Sequence, residues 1–193
     1  MPTIGVLAIQ GDFLEHQQVL ARLGIDAPEI RLPSQLEDID GLIIPGGEST
    51  TIVQLIDIYG FRQPLTERVR SGMPLWGTCA GMIVIADRLR DRRPDPLRLM
   101  DIDVSRNAFG RQIDSFEEDI ALEGIEGPDF RAVFIRAPAV NFMGDSVKVL
   151  AKVRDGRPVA VRQDRMLATS FHPELTGDDR VHQLFIRMVE DST

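Results

Sequence analysis

Runs of consecutive apolar residues alternate, through the first half of the chain, with stretches in which apolar residues recur every three or four positions. Thr3 to Ile9 (TIGVLAI), Gly41 to Pro45 (GLIIP) and Met73 to Thr78 (MPLWGT) are unbroken apolar runs closed by turn residues, the pattern of strands buried on both faces. Between them, Phe13 to Leu23 carries Phe13, Leu14, Val19, Leu20 and Leu23 near helical spacing, with Gly24 as its stop. Ser49 to Ile58, Gln63 to Arg70 and Cys79 to Arg90 also read as helices.

After Arg90 the texture changes. Leu97 to Val104, Arg131 to Ile135, Val147 to Val153, Pro158 to Gln163 and Met166 to Ser170 are short, β-rich and set apart by turn signals such as Asp155-Gly156. Asp178 to Glu190 places Val181, Leu184, Phe185 and Met188 on one helical face, with Asp178 or Asp179 as cap. Strand alternating with helix, then added strands, predicts a three-layer α/β fold: a mainly parallel central sheet flanked by helices, with antiparallel strands joined late.

The 193 residues suit a single domain spanning 1–193, and 43% hydrophobic with 27% charged residues is ordinary globular composition. A net charge of −8 argues against nucleic acid as a partner, because phosphate neutralisation needs clustered Lys and Arg. The basic stretch RLRDRRPDPLR, Arg88 to Arg98, is broken by acids and prolines and reads as a solvated loop. No run approaches the roughly 18 apolar residues of a membrane span, the N-terminus lacks a leader pattern, and one cysteine cannot pair internally. A cytoplasmic protein that needs no membrane is the expectation.

That cysteine, Cys79, sits where the strand MPLWGT runs into the helical pattern AGMIVIADRL, flanked by Gly77 and Gly81. G-x-C-x-G is the cysteine form of the nucleophile elbow, whose small neighbours permit a sharp turn and close backbone approach. A thiol at a helix N-terminus is favoured as thiolate, and the N–H of Ala80 is placed to receive an oxyanion. A lone cysteine is otherwise a small buried hydrophobe. Of three histidines, His16 beside Glu15 reads as a solvated surface residue and His182 as a partly buried structural one. His172, in SFHPEL just past an apolar strand, reads as the base, and extended geometry would turn Glu174, two residues on, to the same side. The bland alternative for HPE is a turn. PGGEST, Pro45 to Thr50, has no P-loop lysine; Gly46 and Gly47 suit an oxyanion loop, while Glu48, Ser49 and Thr50 suit a helix cap.

Taken in order, PGG, GTCAG and HPE resemble the class I, triad-type glutamine amidotransferases, whose domain is flavodoxin-like. IGVLAIQGDFLEH, PGGESTT, WGTCAGMI, RNAFGRQIDSFE, FIRAP and FHPELT narrow the resemblance to the PdxT/SNO family, the glutaminase subunits of pyridoxal 5'-phosphate synthase. The resemblance implies that Cys79 forms a glutamyl thioester, that His172 is base and then acid, and that Glu174 orients it. It implies glutamine contacts at Gly47, Glu48, Ser49, Arg106, Ile135 and Arg136, an oxyanion hole at Gly47 and Ala80, and no cofactor or metal. Arg111 has a weaker claim. It further implies a partner, the synthase subunit PdxS, a β/α barrel that forms a dodecamer and assembles as 12+12. Such a barrel takes about 250 residues, more than this chain holds. Partner contact near Gln10 and Gly11 is expected to align the Gly46-Gly47 loop. A stand-alone γ-glutamyl hydrolase or cysteine hydrolase on the same fold, or a regulatory subunit without catalysis, would share much of this pattern.

Overall fold

The computed structural model describes residues 1–106 and 115–192. The first half follows the expected alternation: β1 (Ile4–Leu7), α1 (Phe13–Arg22), β2 (Glu29–Ile30), β3 (Gly41–Ile44), α2 (Ser49–Ile58), α3 (Arg62–Arg70), β4 (Leu75–Thr78) and α4 (Ala80–Ile85). The second half is strand-rich: β5 (Ala86–Leu89), β6 (Met100–Ser105), β7 (Ser115–Ile120), β8 (Phe130–Ile135), β9 (Ala139–Met143), β10 (Lys148–Lys152), β11 (Pro158–Gln163) and β12 (Met166–Thr169), closed by α5 (Arg180–Glu190).

The central sheet runs β10-β11-β12-β4-β3-β1-β2. Its five strands from β12 to β2 are mutually parallel, and β10 and β11 join antiparallel at one edge. The parallel strands are buried on both faces, and successive residues feed two cores. Leu7, Leu42, Ile44 and Leu75 pack with Ile52 and Ile56 of α2 and with α4. Ile4, Val6, Ile43 and Trp76 pack with Leu20 of α1 and with Val181 and Phe185 of α5. This is the expected three-layer arrangement, with the reversal of strand order lying between β1 and β3.

Two expectations are corrected, and the α5 cap is borne out in position but not in its bond. The helix expected over Cys79 to Arg90 ends at Ile85, and Ala86–Leu89 is a strand parallel to β6. Its last turn is Ile83-Val84-Ile85, β-branched residues with weak helix preference, and the N–H groups of Leu97, Arg98 and Leu99 take the carbonyls of Val84, Ala86 and Ile85. The stretch Arg88 to Arg98 is accordingly not all solvated loop, since it begins in β5 and buries Pro94, Pro96 and Leu97. In α5, Asp179 occupies the cap position without a side-chain cap bond, while Asp178 accepts from the Arg180 N–H. Strands β2, β7 and β9 carry no clear apolar alternation and are found only through their pairing.

The β7–β8 hairpin matters most for the site. Phe134 stacks on Phe116 at 4.5 Å and meets Phe171 edge-on, while Val133 O accepts the backbone N–H of His172 at 2.8 Å. The hairpin thereby pins the segment after β12 and delivers Ile135 and Arg136 to the same end of the sheet.

Candidate active site

Cys79 joins β4 directly to α4 with φ 48° and ψ −104°, a conformation that L residues rarely hold and that costs about 1–3 kcal/mol. Two close approaches enforce it. A methyl group on Gly81 would lie 2.1 Å from Ile44 O, and one on Gly77 would lie 2.5 Å from the Gly81 carbonyl, so strand and helix meet at a separation only hydrogen atoms fit. The Cys79 N–H is held by Thr169 O at 2.8 Å, and its Sγ lies 3.7 Å from Ile135 O. The residue is 7% exposed. Because α4 has only six residues, its dipole adds less than a full-length helix would.

His172 enters from the end of β12, and its Nδ1 donates to Glu174 Oε1 at 2.7 Å, leaving Nε2 for the sulfur. Glu174 is reached through a single 3-10 turn, Pro173–Leu175, and not through the extended backbone expected from the spacing. Proline fixes that turn, which lets a carboxylate two residues on fold back to the ring. Burial alone would lower the His172 pKa, but hydrogen bonds and charge interaction with Cys79 and Glu174 outweigh it and push it up to about 10. Burial raises the Glu174 pKa against the opposing pull of His172. The pair is built to hold a proton on the imidazole beside the sulfur.

The cavity at this end of the sheet, about 550 Å³, is lined by Cys79, Ala80 and His172 together with Gly47, Glu48, Ser49, Arg106, Ile135 and Arg136. Of the residues assigned from the sequence to catalysis, the oxyanion or glutamine, all except Glu174, which lies behind His172, line this one space. Arg111 falls outside the described residues. Glu48 caps α2, accepting from the N–H groups of Thr50 and Thr51; burial would raise its pKa, but these bonds, led by Thr51, hold it below the usual range. Arg106 pairs with Glu48 at 3.0 Å. Ser49 Oγ is buried without a hydrogen-bond partner among the described residues. Arg136, at φ 44° and exposed, has no ion pair among them. At Gly47, φ is 154°, and a side chain there would strike Gln10, whose Oε1 accepts the Glu48 N–H at 2.9 Å.

The surface assignment of His16 is overturned: the ring is fully buried, bonded to His182 and Thr78, and 3.4 Å from Glu174. The signal was present, since His16, Val19 and Leu20 stand at i, i+3 and i+4 on the inward face of α1. His182, expected to be partly buried, is fully buried. Asp12 carries no motif signal in the sequence; its Oδ2 is 3.6 Å from His172 Nδ1 and it lines the cavity. Burial raises the Asp12 pKa, partly offset by His172. Asp12, His172 and Glu174 bring ligand atoms within 4.8 Å, a proximity already accounted for by the His172–Glu174 hydrogen bond.

Comparison with known proteins points to one family. The profile of the SNO glutamine amidotransferase family matches residues 6–191. A protein of Roseiflexus castenholzii named pyridoxal 5'-phosphate synthase subunit PdxT is 54% identical over 188 residues, covering 96% of this chain and all of its own length. A PdxT of Rhodococcus jostii is 55% identical, covering 97% of each chain. Among solved structures, one described as a glutamine amidotransferase superposes with a TM-score of 0.92 at 48% identity, covering 97% of this chain and 99% of its own.

Proposed function

Because the chain belongs to the SNO glutamine amidotransferase family, we propose that it is the glutaminase subunit of a pyridoxal 5'-phosphate synthase, converting L-glutamine to L-glutamate and ammonia for a PdxS-type synthase subunit. The observation that carries the chemistry is the strained Cys79 facing His172 across one cavity, with His172 tied to Glu174 at 2.7 Å. Identity of 54–55% over nearly the full length to proteins named PdxT favours this reading over a stand-alone γ-glutamyl hydrolase.

The Cys79 thiolate attacks the side-chain amide carbon, forming a C–S bond and moving the carbonyl electrons onto oxygen. The N–H groups of Ala80 and Gly47 are the donors assigned to that oxyanion. As the carbonyl re-forms, the C–N bond breaks and the His172 imidazolium gives its Nε2 proton to the departing nitrogen, releasing ammonia. Neutral His172 then takes a proton from water as it attacks the thioester, and expulsion of Cys79 yields glutamate. Glu174 holds the ring through Nδ1 in both half-reactions. For the amino-acid end of glutamine, the unpaired Arg136 suits the α-carboxylate and Glu48 the α-amino group, while Ser49 Oγ offers a hydrogen bond. Arg106 is already engaged by Glu48 and serves to place it.

The PdxS partner is a β/α-barrel dodecamer that carries twelve glutaminase subunits, and the complex works in the cytoplasm; no helix among the described residues is long and apolar enough to cross a membrane. Docking near Gln10 and Gly11 aligns the loop, because Gln10 bonds directly to the Glu48 N–H. Ammonia release from glutamine, measured with and without the synthase subunit, tests the proposal. Strong stimulation by the partner is expected. Cys79→Ala should lose at least about 10³-fold of glutamine hydrolysis while the complex still makes product from ammonium salt. Full activity of the isolated chain on glutamyl peptides would overturn it.

A further inference from the structure

Behind the triad lies a buried polar chain that the reaction as described does not use. Glu174 gives Oε1 to His172, and its Oε2 is buried with no hydrogen bond of good geometry. Facing that oxygen is His16 Nε2 at 3.4 Å, which is also 3.1 Å from Thr78 Oγ1. On the other side of the ring, His16 Nδ1 lies 3.0 Å from His182 Nε2, and His182 Nδ1 has no partner among the described residues. Trp76 closes the cluster edge-on to both rings, at 5.6 Å from His16 and 4.9 Å from His182.

Hydrogen-bond accounting assigns the protons. Of two imidazole nitrogens 3.0 Å apart, one donates and the other accepts. A proton on His182 Nδ1 would be a buried donor with nothing to receive it, which is costlier and rarer than a bare ring nitrogen. His182 therefore carries its proton on Nε2 and donates to His16 Nδ1. The His16 proton is then on Nε2, directed between Thr78 Oγ1 and Glu174 Oε2.

We propose that His16 is a positioning residue for the triad: its Nε2–H braces Glu174 from behind while contacting Thr78, the residue before the nucleophile, and His182 fixes the tautomer that makes this contact possible. Burial lowers the pKa of both histidines, so the chain presents a dipole to the carboxylate and no competing positive charge. Glu174 keeps its negative charge for the His172 imidazolium, and the alignment of elbow and carboxylate is set by one ring. Nearby groups that also titrate or carry charge are Cys79, His172, Asp12 with Glu15 close to it, and Arg22 near His182.

The inference rests on the glutaminase reading, and its test separates the two. His16→Leu removes the donor with little change in volume, and His16→Gln supplies an amide N–H toward Glu174 and an oxygen toward His182. Steady-state glutamine hydrolysis by each variant in complex with the synthase subunit gives kcat and KM between pH 6 and 9. Iodoacetamide labelling of the isolated chain gives the pH profile of Cys79, unambiguous because it is the sole cysteine. His16→Leu should lose about 10–100-fold in kcat, with KM within about twofold and a labelling midpoint moved to higher pH; His16→Gln should recover most of both. A His16→Leu variant with wild-type kcat and labelling overturns the proposal, as does a folded His16→Gln variant no better than His16→Leu. Should His16→Leu fail to fold, His182→Leu takes its place: a smaller shift of kcat and labelling in the same sense supports the proposal, and none refutes it. A wild-type complex that released no ammonia would instead refute the glutaminase reading.

Discussion

His182 makes mild acid destabilising by an amount the structure sets. Its ring is fully buried beside Trp76 and His16, and burial, with the nearby Arg22 charge, lowers its pKa from 6.5 to about 3. Between those values the unfolded chain binds a proton at His182 and the folded chain does not, so stability falls as pH falls, by up to about 1.4 kcal/mol per pH unit. From pH 7 to pH 4.5 the loss from this one group is about 2–3 kcal/mol, roughly 5–10 °C in melting temperature for a chain of this size. His16 acts in the same direction, its pKa also lowered by burial. Glu174 opposes them: its raised pKa lets the folded chain take up a proton before the unfolded chain does. Comparison with His182→Gln isolates the histidine, because an amide retains a donor toward His16 Nδ1 but does not titrate. Urea midpoints for both proteins at pH 7 and pH 4.5 give the answer. The acid-induced loss in His182→Gln should be smaller than in the wild type by about 2–3 kcal/mol; an equal loss in the two would refute the assignment of a neutral buried His182.

Arg136→Gln should raise KM for glutamine about 10–100-fold with kcat changed less than about threefold, since a charge-assisted hydrogen bond to a carboxylate is worth about 1.5–3 kcal/mol. Steady-state kinetics in the complex checks this, and an unchanged KM would remove Arg136 from the glutamine site. Gly81→Ala places a methyl group 2.1 Å from Ile44 O and should leave no soluble folded protein, whereas Gly156→Ala, with nothing within 4 Å and φ +90°, should cost only about 1 kcal/mol; circular dichroism and thermal melts compare them.

How much of this was legible in the sequence depended on whether a residue's environment is local. The buried parallel strands and the amphipathic faces of α1, α2 and α5 are set by neighbours three or four positions away, and their bounds came within a few residues. The candidate triad was legible as two segments, because Gly77-x-Cys79-x-Gly81 and His172-Pro173-Glu174 are compact stretches whose backbone demands are written beside the side chains that the structure brings to one place. What escaped depends on partners remote in sequence. The strand Ala86–Leu89 exists because β6 pairs with it, and the preceding helix stops because Leu97 to Leu99 occupy its final carbonyls. The charge beside His16 in the sequence, Glu15, suggested solvent, but the ring's true neighbours are 62, 158 and 166 residues away, at Thr78, Glu174 and His182.

The sheet topology explains why so many of these remote contacts converge on one stretch. Strand order reverses between β1 and β3, and the loop leaving β1 crosses the crevice that this reversal opens. Each residue that departs from β1 therefore meets a different part of the site. Gln10 holds the Glu48 N–H; Gly11 passes so close under Gly46 that a methyl group would sit 1.8 Å from its carbonyl oxygen. Asp12 approaches His172 Nδ1 at 3.6 Å, and His16, one helical turn on, reaches Glu174 at 3.4 Å. A partner that pressed on the tip of β1 would act at once on the loop assigned to the oxyanion and on the brace behind the carboxylate, through a segment that contributes no atom to the bond being broken. If the partner docks at the tip of β1 as proposed, its control of the enzyme requires no long-range pathway, because the proposed docking surface and the support of the candidate site are adjacent turns of the same chain.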